Sequence, residues 1–117
     1  MRELKFRAWD KEEKKYWYNV YSIANEENLY ILEQYTGLKD KNGKEIYEGD
    51  IIGFSNKEHP NIEYPNLEVY YETDHCRFSV NQNVQGVDKK GRSLGGYRIE
   101  DFIEVIGNIH QNPELLK

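Results

Sequence analysis

Four acidic side chains near the middle of the chain form the densest group that could do chemistry. They are Asp40, Glu45, Glu48 and Asp50, and together they could hold a cation for an enzyme. Loops that bind hard cations place several oxygen ligands at alternate positions, and this spacing is missing here. The glycines in the same segment, Gly43 and Gly49, are typical of chain reversals. We therefore predict turns at these acids and no metal site.

The thiol and imidazole groups form no recognisable catalytic arrangement. The chain has one cysteine, Cys76, and three histidines, His59, His75 and His110. His75 precedes Cys76 directly, and neighbouring residues of a strand point to opposite faces, so this imidazole is poorly placed to activate the thiol. The sequence also lacks a glycine loop for phosphate and the spacing of a zinc site. We expect no enzymatic activity and no cofactor.

Aromatic side chains are better candidates for binding, since the chain has ten tyrosines and two tryptophans. Tyrosine and tryptophan are among the residues that most often anchor protein interfaces. The interface candidates are Trp9, Trp17, Tyr18, Tyr70 and Tyr97. We expect them to contact a protein partner or a second copy of the chain.

A basic run offers an alternative, which is binding of nucleic acid. Lys89, Lys90 and Arg92 could contact phosphates while tyrosine rings stack on bases. The net charge of −5 opposes this, because an acidic surface repels phosphate. The run lies in a polar, glycine-rich segment, residues 81–96, which we expect to be disordered or simply exposed.

The cellular location follows from three features of the sequence. A single cysteine allows no intrachain disulfide, which fits a reducing cytosol. No apolar run is long enough to span a membrane, and the first residues lack the core of a signal peptide. We expect a cytoplasmic protein without a membrane role.

The N-terminal third must position these groups on short strands. Apolar and polar residues alternate from Leu4 to Trp9, which predicts a strand with one buried and one wetter face. An aromatic strand at 16–21 would return beside it, bringing Trp9 and Trp17 into cross-strand contact. Residues 29–35 predict a third strand.

The central turns predict two reversals. Asn42-Gly43 favours a two-residue type I′ hairpin turn, in which both residues have positive φ. At the second reversal, Gly49 supplies conformational freedom, and Asp50 can bond its own backbone two residues further on.

The C-terminal part predicts a small barrel. We expect a strand at 50–54, a long loop at 55–66, a hairpin at 67–80, and one or two strands at 102–110 with a bulge or bend at Gly107. In the hairpin, Cys76, Phe78 and Val80 would face inward and Arg77 and Ser79 would face water. Four or five short strands suit a closed or partly closed barrel. The predicted domains are 1–48, a β-hairpin subdomain, and 49–117, the barrel.

Three segments resemble the YopX family of bacteriophage and prophage proteins. They are KFRAWD at Lys5–Asp10, QYTGLKDKNGKEIYEGDII at Gln34–Ile52 and IEVIGNIHQNPELL at Ile103–Leu116. They follow the family's order and span nearly the whole chain, although residues 55–97 carry no motif of the family.

The resemblance implies a mainly β protein. Its C-terminal part would be a small β-barrel of the Src-homology-like kind, with a β-rich or α+β N-terminal subdomain packed on it. The family implies an origin in a phage or prophage, but no known activity and no catalytic residues. We therefore expect a phage or prophage accessory protein that binds another protein or assembles with itself.

Overall fold

The computed structural model describes residues 4–21, 28–54, 65–84, 87–93 and 102–116, with the backbone alone over 82–93. These residues form nine strands in two antiparallel sheets, which confirms the predicted mainly β fold. Short 3-10 turns lie at Thr73–His75 and Pro113–Leu116. In this part of the chain, no helix is long and apolar enough to cross a membrane.

The first sheet has four strands in the order β2-β1-β3-β4. Their bounds are β1 Phe6–Asp10, β2 Lys15–Tyr18, β3 Tyr30–Lys39 and β4 Glu45–Tyr47. The three predicted N-terminal strands are confirmed, although β2 is shorter than expected and β3 runs further. The predicted contact between Trp9 and Trp17 is wrong. The register sets Trp9 opposite Tyr16 and Trp17 opposite Ala8, so the two indoles lie on different faces.

The second sheet has five strands in the order β8-β7-β6-β5-β9 and is curled into a partly closed barrel. Its strands are β5 Asp50–Phe54, β6 Leu67–Glu72, β7 Arg77–Val84, β8 Val87–Ser93 and β9 Ile103–Asn108. The pairing of β5 with β9 shifts register next to Gly107, which is the predicted bulge. The predicted domain boundary falls in the turn between β4 and β5, and the division into two domains stays a prediction.

One apolar core serves the curled sheet and the β3–β4 hairpin together. Its buried members are Ile46, Ile52, Leu67, Val69, Val80, Ile103 and Val105, with Leu38, Phe54 and Phe78 packed against them. Ile46 comes from β4, so the first sheet contributes directly to the interior of the second. The hairpin loop is also fixed to β9, because the amide of Val105 donates to Asp40 Oδ2 at 2.9 Å.

The β3–β4 hairpin has a three-residue loop rather than the predicted two-residue turn. Gly43 has a φ of +81°, whereas Asn42 has no positive φ. The amide of Gly43 donates to the carbonyl of Asp40, and the amide of Asp40 donates to the carbonyl of Lys44. The Asp40 carboxylate explains the difference, because its Oδ1 accepts hydrogen bonds from the amides of Asn42 and Lys44, each at 2.9 Å. A turn started by this carboxylate needs a left-handed residue only at Gly43.

The predicted hairpin at 67–80 is confirmed as β6 and β7, but two of its side chains lie elsewhere than expected. Cys76 is exposed rather than inward-facing, because the chain is still turning there and the residue has a left-handed φ of +50°. Ser79 is fully buried rather than exposed. Its hydroxyl donates to Glu72 Oε1 at 3.1 Å, and the same oxygen accepts from Arg77 Nε at 2.9 Å. Burial of this serine is therefore compatible with its polarity.

The expectation of a disordered or merely exposed segment at 81–96 is wrong for most of its length. Strand β7 continues to Val84, and β8 occupies Val87–Ser93. An edge strand is held by backbone hydrogen bonds to one neighbour, so it needs no apolar pattern in its sequence. The predicted loop at 55–66 and the helical turn suggested at 99–102 lie almost wholly outside the described residues.

Replacing Gly49 by alanine should destabilise the fold more than the same change at Gly43. Both glycines have left-handed φ, +84° and +81°, so both substitutions lose about 1 kcal/mol of backbone preference. A Cβ at Gly49 would also lie 2.9 Å from Glu33 Cδ, whereas nothing lies within 4 Å of one at Gly43. We expect Gly49→Ala to lose roughly 1–3 kcal/mol more in urea denaturation. Equal losses would show that Gly49 does not pack against Glu33.

Candidate functional site

The densest group of polar side chains in the described structure is centred on Arg7, in β1. Its guanidinium is only 4% exposed. Nε donates to Glu33 Oε1 on β3 at 2.8 Å, and Nη2 donates to Asp50 Oδ1 on β5 at 2.8 Å. Nη2 also donates to the carbonyl of Glu48 at 3.1 Å. Because Glu33 and Asp50 belong to different sheets, Arg7 joins one sheet to the other.

Glu33 is the second junction of this cluster. Its Oε1 accepts from Tyr16 Oη at 3.0 Å as well as from Arg7, and its Oε2 lies 2.8 Å from His110 Nε2. His110 follows β9, so this contact is a second link between the sheets. Arg7, Tyr16, Glu33, Asp50 and His110 are called the Arg7 cluster below.

Aromatic rings enclose the Arg7 cluster. The guanidinium carbon of Arg7 lies 4.0 Å from the Tyr16 ring centre and 4.7 Å from that of Tyr47. The Trp9 ring stacks on His110, with centroids 4.8 Å apart and an interplanar angle of 7°. These rings exclude water, and their faces attract the cation of Arg7. Charged groups shielded in this way interact more strongly than they would at the surface.

Asp50 does not make the local hydrogen bond that the sequence predicted. Its Oδ2 accepts from the amide of Tyr47, three residues earlier, at 2.8 Å, while Oδ1 is taken by Arg7. The carboxylate therefore closes the β4–β5 turn and pairs with Arg7 at once. This double use places Asp50 in the interior, where a turn acid would ordinarily be wet.

The protonation states follow from burial and from the neighbours. Burial alone would lower the pKa of Arg7, but Asp50 and Glu33 outweigh it and hold that pKa above its usual range. Burial raises the pKa of Asp50, against the opposing effects of Arg7 and the Tyr47 amide. Burial likewise raises the pKa of the Tyr16 phenol, with Arg7 opposing. The guanidinium thus stays charged, and the phenol keeps the proton that it donates to Glu33.

The residue types in the Arg7 cluster are those that enzymes use, but their partners are one another. An acid or base in catalysis must reach the proton of a substrate. Here Arg7, Tyr16 and His110 all point their polar atoms at Glu33, and Asp50 is shared between Arg7 and a backbone amide. This arrangement suits the cluster to holding the sheets together.

The four acids considered as a cation site have separate partners. Asp40 accepts from backbone amides of its loop and of β9, Glu45 pairs with Lys5, Glu48 accepts from the amide of Gln34, and Asp50 pairs with Arg7. Across the described residues, no group of three or more His, Cys, Asp or Glu side chains is placed to hold a metal ion.

The predicted interface aromatics are spread over different environments. Trp9 is 7% exposed and belongs to the interior. Trp17 and Tyr18 are 46% and 55% exposed on β2. Tyr70 is half-buried on β6, and its hydroxyl lies 3.5 Å from Glu72 Oε2. Tyr97 lies outside the described residues, so the structure brings only Trp17 and Tyr18 together at the surface.

The basic residues proposed for nucleic acid lie on one outer strand. Lys89, Lys90 and Arg92 are in β8, which is the last strand of the five-stranded sheet in the described part of the chain. Backbone pairing sets Lys89 opposite Gln82 and Arg92 opposite Val80 on β7.

The exposed side of β2 carries a compact group of large side chains. Trp17 and Leu32 both lie beside Ala8 in the register, so they are in one row on one face of the sheet. Leu32 is 41% exposed. We call the exposed side chains Lys15, Trp17, Tyr18 and Leu32 the β2 surface.

Two aromatic side chains of the β2 surface are held in place by neighbours. The Nε1 of Trp17 donates to Asp10 Oδ2 at 3.2 Å, and Lys15 Nζ lies 4.2 Å from the Trp17 ring centre. The ring of Tyr18 meets that of Tyr47 edge-on, with centroids 5.9 Å apart. Both rings are therefore ordered although they are exposed.

Sequence reasoning missed Arg7 and Glu33 and treated His110 as a lone histidine. Alternation along β1 assigned Arg7 to the wetter face, but both faces are covered at Ala8 and Trp9. One signal was available, because Trp9 lies on the same strand face as Arg7 and a large indole favours burial. Nothing in a single sequence, however, pairs Arg7 with residues 26 and 43 positions away.

Comparison with protein families gives one match that spans most of the chain. The family model described as YopX protein matches residues 19–117. The chain belongs to the YopX family. The match includes the central and C-terminal motifs that suggested this family, and it begins after the KFRAWD segment that contains Arg7.

A solved structure supports the fold of this YopX-family chain. The crystal structure of protein EF1440 from Enterococcus faecalis is similar over 100% of both chains, with 30% sequence identity and a TM-score of 0.66. Among curated proteins, none matches this chain.

Replacing Arg7 by methionine should destabilise the protein by about 3–5 kcal/mol, because it leaves Glu33 and Asp50 as buried charges without their partner. The matched control is Lys5→Met, which removes the ion pair of Lys5 with Glu45. Those side chains are 27% and 30% exposed, so we expect a loss below about 1 kcal/mol. Urea denaturation measures both. Similar small losses for the two variants would contradict a central role of Arg7.

Proposed function

We propose that this YopX-family protein is a non-enzymatic interaction module, which binds a protein partner or a second copy of itself through the β2 surface. The observation that carries the proposal is the position of β2. It is the outermost strand of the four-stranded sheet, and no other strand of the described residues pairs with its outer side. Trp17 and Tyr18 stand exposed on this same strand.

An outer strand with large exposed rings offers two kinds of contact. Its free backbone groups can pair with a strand of a partner, which extends the sheet. Trp17 and Tyr18 can supply the anchoring side chains that dominate binding energy in many interfaces. Because Asp10, Lys15 and Tyr47 already hold these rings, binding would lose less side-chain entropy than ordering free rings.

The non-enzymatic part of the proposal rests on the Arg7 cluster. Its acids, phenol, imidazole and guanidinium satisfy one another, and they lie in the junction between the sheets. The phage or prophage origin and the cytoplasmic location stay predictions, the first from the family resemblance and the second from composition.

Binding of nucleic acid through β8 is the second candidate. Its support is the position of Lys89, Lys90 and Arg92 on the outermost strand of the curled sheet. The net charge of −5 opposes it.

Trp17→Ala and Tyr18→Ala should each weaken association, while Tyr21→Ala should leave it unchanged. Tyr21 is 95% exposed and controls for the loss of an aromatic side chain near β2. Light scattering after size exclusion, up to high micromolar concentration, detects self-association. Affinity capture from host cells, followed by titration with the purified partner, detects another protein. Loss of an anchoring ring should raise the dissociation constant by about 30-fold or more.

Three outcomes would count against the β2 surface. One is a strict monomer whose captured proteins are unaffected by Trp17→Ala and Tyr18→Ala. Another is an equal loss of binding in Tyr21→Ala. The third is salt-dependent binding of a labelled oligonucleotide that both β2 variants retain, which would favour the nucleic-acid candidate instead.

A further inference from the structure

The formal charges of the Arg7 cluster do not balance unless it holds an additional proton. Arg7 contributes one positive charge, and Glu33 and Asp50 contribute one negative charge each, which leaves one negative charge in excess. The side chains of Arg7, Glu33 and Asp50 are 4%, 5% and 3% exposed. An unbalanced charge is expensive in such a place. A proton on His110 would make the cluster neutral.

The contacts of His110 favour its protonated form in two independent ways. Its Nε2 lies 2.8 Å from Glu33 Oε2, so an imidazolium would donate a charge-assisted hydrogen bond there. Its ring is stacked on Trp9, and the face of an indole attracts a cation.

We propose that the junction between the two sheets takes up one proton on folding, shared by Glu33 and His110, so that the junction tightens as the pH falls through neutrality. The proton closes the ion-pair chain from Asp50 through Arg7 and Glu33 to His110. Tyr16 of β2 donates to the same Glu33, so this proton also determines how firmly β2 is held. The proposal concerns folding and does not require that β2 bind a partner.

Other groups facing His110 do not supply the missing charge. Trp9 of β1 and Tyr16 of β2 are uncharged, and Tyr16 lies with its ring centroid 6.1 Å away. From β3 it faces Glu33, and through Glu33 it meets Arg7, whose charge is matched by Asp50 of β5. Within its own turn, the His110 amide donates to the neutral amide oxygen of Asn108.

The sign of the pH effect follows from proton counting. If the native state binds more protons than the unfolded chain, stability falls as the pH rises. Burial raises the pKa of Asp50 and of Glu48, which gives an effect of the same sign: that contribution is present in acid and is lost as the pH rises through the raised pKa values. Unperturbed carboxyl groups titrate near pH 4, whereas imidazoles titrate near pH 6.5. The range between about pH 6 and 8 therefore reports on the imidazole.

The test is the unfolding equilibrium constant of the full chain, measured in urea between about pH 6 and 8. For one linked proton we expect this constant to rise with pH, by up to about tenfold per pH unit. His110→Gln keeps a hydrogen-bond donor but cannot carry the charge, so its constant should change much less. Glu33→Gln should lose the dependence as well, which provides a second variant if the first is poorly folded.

His75→Gln is the matched control. His75 is 58% exposed and lies 3.2 Å from Glu72, so it is a histidine–glutamate pair at the surface. This variant should keep the wild-type pH dependence. The proposal is overturned if the wild-type constant does not change over this range, if His110→Gln keeps the full dependence, or if the dependence disappears in His75→Gln.

Discussion

A buried guanidinium governs this fold. Arg7 is removed from water in β1, and its charge is met by Glu33 from the same sheet and Asp50 from the other. A buried ion of this kind is tolerated only when its partners are placed accurately, because an unmatched charge in the interior costs several kcal/mol. The relative position of the two sheets is therefore restricted to arrangements that satisfy Arg7. The apolar core adds stability but less direction, since hydrophobic contacts are non-directional.

The same constraint explains the local features around the β4–β5 turn. Gly49 lies against Glu33 with no room for a side chain, and its carbonyl accepts from the amide of Ile109 at 2.9 Å. Asp50 closes the turn and meets Arg7. The family match begins at residue 19, yet the partners of Arg7 all lie within the matched range. Strand β1 is thus a structural part of the YopX-family chain described here, since it supplies the central cation.

Local patterns in the sequence predicted most of the strands but not the contacts between them. Alternation identified β1 and the β6–β7 hairpin, and glycine next to asparagine or aspartate located the reversals at Gly43 and Gly49. The turn type was missed because a carboxylate, Asp40, directs the loop. Strand β8 was missed because its polar residues need only backbone pairing. The Arg7 cluster was missed because residues on separate strands meet only after both sheets have formed, and alternation assigns a charged residue to solvent by default. Exposure of Trp17 and Tyr18 likewise depends on β2 being an outer strand, which no local pattern specifies.

Native-state hydrogen exchange in low concentrations of denaturant tests most directly whether the Arg7 cluster makes the two sheets one cooperative unit. The best-protected amides of β1 and β3 should exchange with the same opening free energy as those of β5 and β6, equal to the free energy of global unfolding. A four-stranded sheet whose amides all exchange through a separate opening of lower free energy, while the curled sheet stays protected, would contradict the account.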